Sequence, residues 1–483
     1  MRIGFIIPPS KHAKNVARDL VYGCWCKGRR IAGITFPPIS QLEVATWLRQ
    51  NGHDVRLLDA PGFGWDMERL VSEAKDLDAS VTLTSTMTIN DDAECLAAVK
   101  AANPKLKTTV YGAHPTFMPE QTVQKPGIDF AVRREPEMIL KDLFAALQDG
   151  NGAYKEVAGI AFRDGAEVKV NPYAAFIKNL DILPIPDRKM LPSGVDYFNP
   201  IVKRQPYTTM FTSRGCPAQC TYCSSPPFYG DTVRFRSAAA MLEELEQVAK
   251  MGYREVFFRD EIFTASRRRV MDLCDGILSK GLKISWICSS RVSTIDREMM
   301  VQMKKAGCHL IRFGVESSNQ EILDLIKKGT TVEQAEKTFA NLHEVGLDSH
   351  AHMMIGMPGE TEGTIRHTIN WLKYTIKPTV ITFGICTPYP GTELFDMVKR
   401  LHPAIGDGSE SDMKKLHTTG YYNELFQSVP NDRLEAWIRR AYSEFYMRPS
   451  YLLGWVPRLR SLDELFRVSM AGTQVLGFVW GQD

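Results

Sequence analysis

The 483-residue chain has no apolar run as long as the roughly 18 residues a membrane-spanning helix needs, so no span is expected. It has no long basic run either, and its formal net charge is only +3, so charge gives no reason to expect nucleic acid. The opening MRIGFIIPPS meets proline too early for a signal peptide; it reads as a first buried strand. The ten cysteines lack the spread of a disulfide framework: three fall within eight residues, and others such as Cys274, Cys288 and Cys386 sit in apolar stretches. A large chain without a secretory leader is expected in the reducing cytoplasm. There clustered cysteines point to metal or redox chemistry, and dispersed ones fill core space. The chain is 44% hydrophobic and 24% charged, which fits a folded globular protein rather than a disordered one. At roughly 100–200 residues per domain it divides into two to four domains.

Residues 1–150 alternate short apolar runs (RIGFII, DVRLLD, ASVTLTS, KTTVYG, IDFAV) with amphipathic stretches (LEVATWLRQNG, DDAECLAAVKAANP, PEMILKDLFAAL). This predicts an α/β domain with an open, doubly wound parallel sheet, which binds ligands outside the carboxyl ends of its strands. Over 151–205 Gly, Asp and Pro recur and the pattern weakens, so a linker with a small hairpin at GIAFRDGAEVKV is expected. From 206 to 400 a second series begins: YTTMFTS, REVFFRD, KISWICS, HLIRFGVES, SHAHMMIG and VITFGIC. These predict six parallel strand–helix units, a partial barrel whose chemistry lies at the carboxyl ends of the strands. Residues 401–483 read as helical. Trp455, Leu459, Phe466, Phe478 and Trp480 there suit either packing on the barrel, an apolar substrate, or peripheral contact with a membrane surface.

The central motif is Arg214-Gly215-Cys216-Pro217-Ala218-Gln219-Cys220-Thr221-Tyr222-Cys223, at the end of the first barrel strand. Iron–sulfur clusters are held by thiolates and normally take four. Three leave one iron open to a ligand from elsewhere. A structural zinc site would need a fourth Cys or His nearby, and the next His is His309, inside a predicted strand.

This spacing after a strand resembles the radical S-adenosylmethionine superfamily, and the later strand ends match it in order. The resemblance implies a 4Fe–4S cluster on Cys216, Cys220 and Cys223, with S-adenosylmethionine on its open iron. It implies that Asp260 and Glu261 meet the amino group of S-adenosylmethionine and that Arg291 meets its carboxylate or its methionyl end. Glu316 and Ser317 would lie at the ribose, Ile355 and Gly356 at the adenine supported by Tyr222, and Pro388 at the end of the sixth strand. The N-terminal domain resembles the flavodoxin- or Rossmann-like cobalamin domain that precedes the partial (β/α)6 TIM-like barrel in one large subgroup. Its cobalamin-facing residues would be Pro8 and Pro9 (followed by Ser10), Thr84, Ser85, Thr86, Thr88, Gly112, His114, Thr116 and Glu135. Ala113 departs from the usual glycine, and Arg134 and Pro136 stand where glycines are usual. The chain lacks the Asp-x-His-x-x-Gly pattern of histidine-ligated cobalamin proteins: Asp348-Ser349-His350 begins like it, but Met353 replaces the glycine. Cys24-Trp25-Cys26 has no further ligands and is expected to serve loop packing.

The implied activity is methylation of an unactivated carbon through a 5′-deoxyadenosyl radical and cobalamin, with flavodoxin or ferredoxin as reductant. The alternatives are a radical cyclase acting on a tetrapyrrole or lipid, a methylthiotransferase, and a non-catalytic corrinoid or redox sensor. The expected partner is a small molecule, an apolar lipid, isoprenoid or tetrapyrrole.

Overall fold

The computed structural model describes residues 1–9, 18, 21, 34–195, 197–409, 423–455, 458 and 462–480. Ser10, Cys24, Trp25, Cys26 and Leu459, named above, lie outside the described residues. The first sheet contains β1 (Arg2–Ile7), β2 (Asp54–Asp59), β3 (Ala79–Thr84), β4 (Lys107–Gly112), β5 (Phe130–Val132), β6 (Ile160–Asp164) and β7 (Glu167–Val170). Its order is β2-β1-β3-β4-β5-β6-β7. The first five strands are parallel, and β6 and β7 are antiparallel. The hairpin expected inside the linker is therefore the edge of this sheet. β3 is buried along its whole length, as parallel strands covered on both faces must be. On one face Phe5, Val81 and Leu83 pack with Leu42 and Leu48 of helix Ile39–Gln50 and Leu140 and Phe144 of helix Pro136–Asp149. On the other, Ile6, Leu58 and Val110 pack with Leu96 and Val99 of helix Ile89–Ala102.

After a short link come β8 (Tyr207–Met210), β9 (Ser213–Arg214), β10 (Arg234–Phe235), β11 (Glu255–Phe258), β12 (Ser285–Ser290), β13 (Cys308–Glu316), β14 (Asp348–Ile355) and β15 (Val380–Ile385). The order β15-β14-β13-β12-β11-β8 is a six-stranded parallel partial barrel, with β9 and β10 pairing separately. Side chains alternate across each strand. Ile311, Phe313, Val315, Ala351, Met353, Ile355, Ile381 and Phe383 join the core shared with the surrounding helices. Their neighbours Arg312, His350, His352, Thr382 and Gly384 therefore face the lumen.

The exposed edge of β15 is a liability that needs covering. Helix Asn431–Tyr446 covers it through its aromatic face. The Tyr446 hydroxyl accepts from Ile381 N–H (2.9 Å) and donates to Ile381 C=O (2.6 Å), while the Tyr442 hydroxyl accepts from Phe383 N–H (3.3 Å). Phe478, from helix Leu462–Val479, completes this packing at 5.4 Å from the Tyr442 ring. Trp455 borders a cavity of about 330 Å³ that also includes Leu310, Asp348 and Val380, near the amino-terminal ends of the barrel strands. Phe466 and Trp480 are exposed. The C-terminal aromatics thus cover the barrel edge and the end opposite the cysteine loop. No helix among the described residues is long and apolar enough to cross a membrane.

Candidate functional site

The cysteine loop leaves β8 through β9 and is built around Gly215. Its φ is +101°, and a Cβ there would lie 2.4 Å from the Thr232 carbonyl oxygen, so only glycine fits. Backbone bonds from Cys216 N–H to Gly230 C=O (3.3 Å), Thr221 N–H to Ile326 C=O (3.0 Å) and Leu394 N–H to Thr221 C=O (2.9 Å) pin the loop against later barrel segments. Cys216, Cys220 and Cys223 are all unbridged. Burial raises the Cys216 and Cys223 thiols above the ordinary range. Nearby Cys220 raises both further, and Cys216 also raises Cys223. Among the described residues no three His, Cys, Asp or Glu side chains converge as a single-ion site.

The adjacent acids at the end of β11 have different surroundings. Asp260 accepts from Thr212 N–H (2.6 Å), Ser213 N–H (3.1 Å), the Thr212 hydroxyl and Arg269 Nη2 (3.5 Å). It fixes the chain entering the cysteine loop. Glu261 lies near Cys216, and its buried Oε2 has no hydrogen-bond partner. Burial pushes its carboxyl up to about 8, with Asp260 adding to the rise. Arg291 donates to the carbonyls of Lys328 (2.5 Å) and Gly329 (3.4 Å). It borders a cleft of about 590 Å³ with Pro217, Gln219 and Lys328.

Glu316 ends β13 in the left-handed region, φ +69°. Its carboxylate accepts from Lys328 Nζ (2.7 Å) and the Tyr222 hydroxyl (3.0 Å). Tyr222 thus ties the cysteine loop to β13, and Lys328 is a site residue that the motif order did not disclose. Ser317 Oγ accepts from Asn319 N–H (3.2 Å). After Ile355, Gly356 N–H and Met357 N–H donate to Glu360 (2.6 and 3.3 Å), whose carboxyl burial raises to about 8. Pro388 is buried after β15.

At the strand ends of the first domain Pro8 is buried and Pro9 half-buried. The Thr84–Thr88 turn is closed by Ser85 N–H to Thr88 Oγ1 (3.2 Å) and Met87 N–H to Ser85 Oγ (3.3 Å). Gly112 has φ +122°, and a Cβ would stand 2.2 Å from the Thr84 carbonyl oxygen. Thr116 Oγ1 donates to Gly112 C=O (2.7 Å) and accepts from Arg134 N–H (2.8 Å). His114 is buried, with Nδ1 3.1 Å from Thr86 Oγ1 and Nε2 3.2 Å from Asp407 Oδ2. Both ring nitrogens face protein partners, so His114 shapes the turn. Arg134 turns its guanidinium over Tyr173, 3.9 Å from the ring centre. The Glu135 carboxylate is engaged by Arg214 (3.3 Å), Arg234 (2.9 Å) and Ile177 N–H (2.8 Å). It forms part of a buried seam in which Arg214, two residues before Cys216, also donates to Glu137 (2.6 Å) and Glu43 (3.1 Å). Burial alone would lower Arg214, but Glu137, Glu43 and Glu135 hold it well above its ordinary value. Glu43, the less closely held acid, is raised to about 7, first by burial and then by Glu137.

The strand-end loops of the two sheets meet. Met87 and Met118 pack with Phe395, Val398 and Tyr389 beyond β15. A Cβ on Gly391 would overlap the Phe117 ring at 2.4 Å, and Phe117 also contacts Phe228, beyond the cysteines, at 6.5 Å between ring centres. The cysteine mouth and the carboxyl ends of the first sheet therefore border one crevice.

The radical SAM superfamily profile matches residues 210–372, and that of the B12 binding domain matches 31–144. An uncharacterized methyltransferase of Pyrococcus horikoshii is 31% identical over 458 residues, covering 94% of each chain. The chain belongs to the cobalamin-binding branch of the radical S-adenosylmethionine enzymes. The anaerobic magnesium-protoporphyrin IX monomethyl ester cyclase of Cereibacter sphaeroides is 28% identical over 383 residues, covering 77% of this chain and 62% of that one. The radical S-adenosylmethionine methyltransferase TsrM of Kitasatospora setae shares the fold with a TM-score of 0.69 at 17% identity, covering 93% and 90% of the two chains.

The cofactors of this branch are a 4Fe–4S cluster, S-adenosylmethionine and cobalamin, and the residues fit them. Three unbridged cysteines on one loop, Cys216, Cys220 and Cys223, would form a suitable thiolate donor set for the cluster. The unpartnered Glu261 oxygen beside Cys216 suits an ammonium group. The hydroxyl-bearing Thr84–Thr88 turn, at the carboxyl end of β3, would give a polar approach for a corrinoid.

Proposed function

We propose that this enzyme methylates an unactivated carbon of a small molecule held between its two domains. The observation that carries this reading is the shared crevice: Met87, Phe117 and Met118 of the first domain pack directly on the Tyr389–Val398 segment of the barrel. When bound, the cluster with S-adenosylmethionine supplies a hydrogen-abstracting 5′-deoxyadenosyl radical, and cobalamin supplies a transferable methyl group.

In this reading Cys216, Cys220 and Cys223 hold the cluster. Glu261 binds the amino group of S-adenosylmethionine and Arg291 its carboxylate. Glu316, Ser317, Ile355, Gly356, Pro388 and the Tyr222 ring line its nucleoside, and Asp260 positions the loop. Pro8, Pro9, Thr84, Ser85, Thr86, Thr88, Gly112 and Thr116 cradle the corrinoid, while His114 and Glu135 brace that cradle through Asp407 and Arg214. The working division is a cobalamin unit over 1–150, extended by the β6–β7 hairpin, a link to 205, a barrel over 206–400 and helices beyond. A flavodoxin- or ferredoxin-type reductant supplies electrons in the cytoplasm.

The test is anaerobic reconstitution with iron, sulfide and cobalamin, followed by S-adenosylmethionine cleavage and untargeted product analysis. Corrinoid retention, 5′-deoxyadenosine and a product heavier by a methyl group are expected. Cleavage by a protein that binds no corrinoid defeats the reading. The cyclase-like relative supports a second reading, oxidative ring formation, in which the product loses hydrogens or gains oxygen.

A further inference from the structure

Beyond the carboxyl end of β5 stand Arg133 and Arg134, at the edge where an open parallel sheet binds its ligands. Arg134 has φ +71°, a conformation that residues with a Cβ rarely adopt. The glycine usual at this position would hold it without strain. Strain of this kind gathers at ligand clamps and switch positions.

The Arg134 side chain is held in place but not neutralised. Its guanidinium lies over the Tyr173 ring (3.9 Å) and the Phe176 ring (4.8 Å). Among the described residues it forms no ion pair and no hydrogen bond, and its buried Nε has no partner. Stacking occupies the face of a guanidinium and leaves the N–H donors in its plane to a ligand at the edge. The charge around it is unbalanced. Arg133 lies over the same Tyr173 ring (3.7 Å) and donates only to the carbonyls of Thr116 (3.5 Å) and Asn171 (2.9 Å). Glu135, the acid beside Arg134, is already shared by Arg214 (3.3 Å) and Arg234 (2.9 Å). Burial and then Arg133 lower the Arg134 guanidinium from its ordinary value, against Tyr173 and Glu135.

The patch belongs to the rim of the crevice. Arg134 N–H donates to Thr116 Oγ1 (2.8 Å) and the Tyr173 hydroxyl to Thr116 C=O (3.3 Å), which ties it to the loop after β4. On its other side a Cβ on Gly230 would lie 3.2 Å from the Phe176 ring, and Gly230 C=O accepts from Cys216 N–H (3.3 Å). Tyr173 is exposed, so a ligand reaches the patch from solvent.

We propose that Arg134, braced by Tyr173 and Phe176, binds a phosphate ester at the rim of the crevice. The planar fork of arginine suits phosphate oxygens through charge-assisted bonds. Two molecules can bring that group here. Cobalamin carries a phosphodiester in its nucleotide tail, and its peripheral acids are amides, so that phosphate is its fixed anion; a phosphorylated substrate carries another. The first source rests on the corrinoid binding of the reading above.

The test compares the full-length enzyme, reconstituted with iron and sulfide, with Arg134→Gly, which relieves the backbone, and Arg134→Lys, which keeps the charge and loses the fork. Equilibrium dialysis gives Kd for cobalamin and for cobinamide, the corrinoid without a nucleotide tail. Calorimetry at fixed ionic strength gives Kd for inorganic phosphate, with and without cobalamin loaded. If the tail is the ligand, Arg134→Gly weakens cobalamin at least about tenfold, Arg134→Lys weakens it less, and all three proteins bind cobinamide alike. If a substrate phosphoryl group is the ligand, all three bind both corrinoids alike, and the cobalamin-loaded parent binds phosphate at least about tenfold more tightly than loaded Arg134→Gly. The proposal is overturned if Arg134→Gly matches the parent for cobalamin and for phosphate, or if it weakens cobalamin and cobinamide equally and leaves phosphate unchanged. A parent enzyme that binds no corrinoid defeats the methylation reading, and phosphate titration of the same protein still decides this proposal.

Discussion

Replacing Arg214 by Met should damage the junction between the two domains more than its single position suggests. The side chain is buried against Glu43, Glu135 and Glu137, with contacts of 3.1, 3.3 and 2.6 Å. Arg234 remains to serve Glu135, but Glu43 and Glu137 lose their Arg214 contacts. Breaking a buried ion pair from one side costs about 3–5 kcal/mol, because the partner charge stays desolvated. The loss should depend on pH in a definite sense. Glu43 already titrates at about 7 in the folded chain, above the roughly 4.3 of an unfolded glutamate. An acid raised in this way binds more protons folded than unfolded, so stability falls as pH rises between the two values. Arg214 opposes that rise, so without it Glu43 rises further. Arg214→Met should therefore be most destabilised near pH 8 and partly recover near pH 6, where protonation removes the unpaired charge. Arg214→Lys keeps the charge but loses the fork and should fall between. Urea unfolding at both pH values, with corrinoid retention as a second readout, checks this. A loss below about 1 kcal/mol at the higher pH, or a larger loss at the lower pH, would refute the reasoning.

Three further outcomes follow from the site. Alanine at Cys216, Cys220 or Cys223 should abolish 5′-deoxyadenosine formation and the visible absorption of the cluster while the chain stays folded. Glu261→Gln should raise KM for S-adenosylmethionine roughly 10- to 100-fold, the loss of one hydrogen bond to a charged group, with cluster content unchanged; Asp260→Asn should instead lower cluster content, because its bonds hold the loop. His114→Ala should weaken corrinoid retention without changing the electron paramagnetic resonance spectrum of the bound corrinoid, and a nitrogen splitting lost in the variant would show that His114 ligates cobalt.

Much of this arrangement is legible in the sequence because it is local. Short apolar runs alternating with amphipathic stretches predict both parallel sheets, and each strand-end segment named from the sequence does end a strand. What is not legible depends on long-range pairing. Asp260 and Glu261 are neighbouring acids of similar chemistry, and only the fold gives one of them Thr212, Ser213 and Arg269. Arg214 reads as a flank of the cysteine motif, yet its partners Glu43 and Glu137 lie 171 and 77 residues away. Asp348-Ser349-His350 looks like a broken cobalamin motif until strand alternation turns the His350 ring into the lumen. The C-terminal aromatics read equally well as a substrate lid or as packing, because composition does not say which end of a barrel a helix covers.

The two sides of the crevice are joined by different means, and this bears on what the enzyme has to control. One side is the buried Arg214 seam. The other joins Met87 and Met118 to Phe395, with a polar clamp beside them: Asp407 takes His114, Lys125 (3.2 Å) and Ser409, and Ser409 C=O accepts from Asn90 (2.9 Å). Burial opposes ionisation of Asp407, yet its bonds with His114 and Ser409 hold it far below its ordinary value. Apolar packing alone would hold two domains together, but it tolerates sliding. Buried, directional ion pairs add little net stability and resist displacement, because any shift leaves a charge unpaired. A chemistry that makes a radical at one mouth and delivers a group from the other requires a fixed separation between them. Charged seams on both flanks of the crevice supply that constraint at some cost in stability.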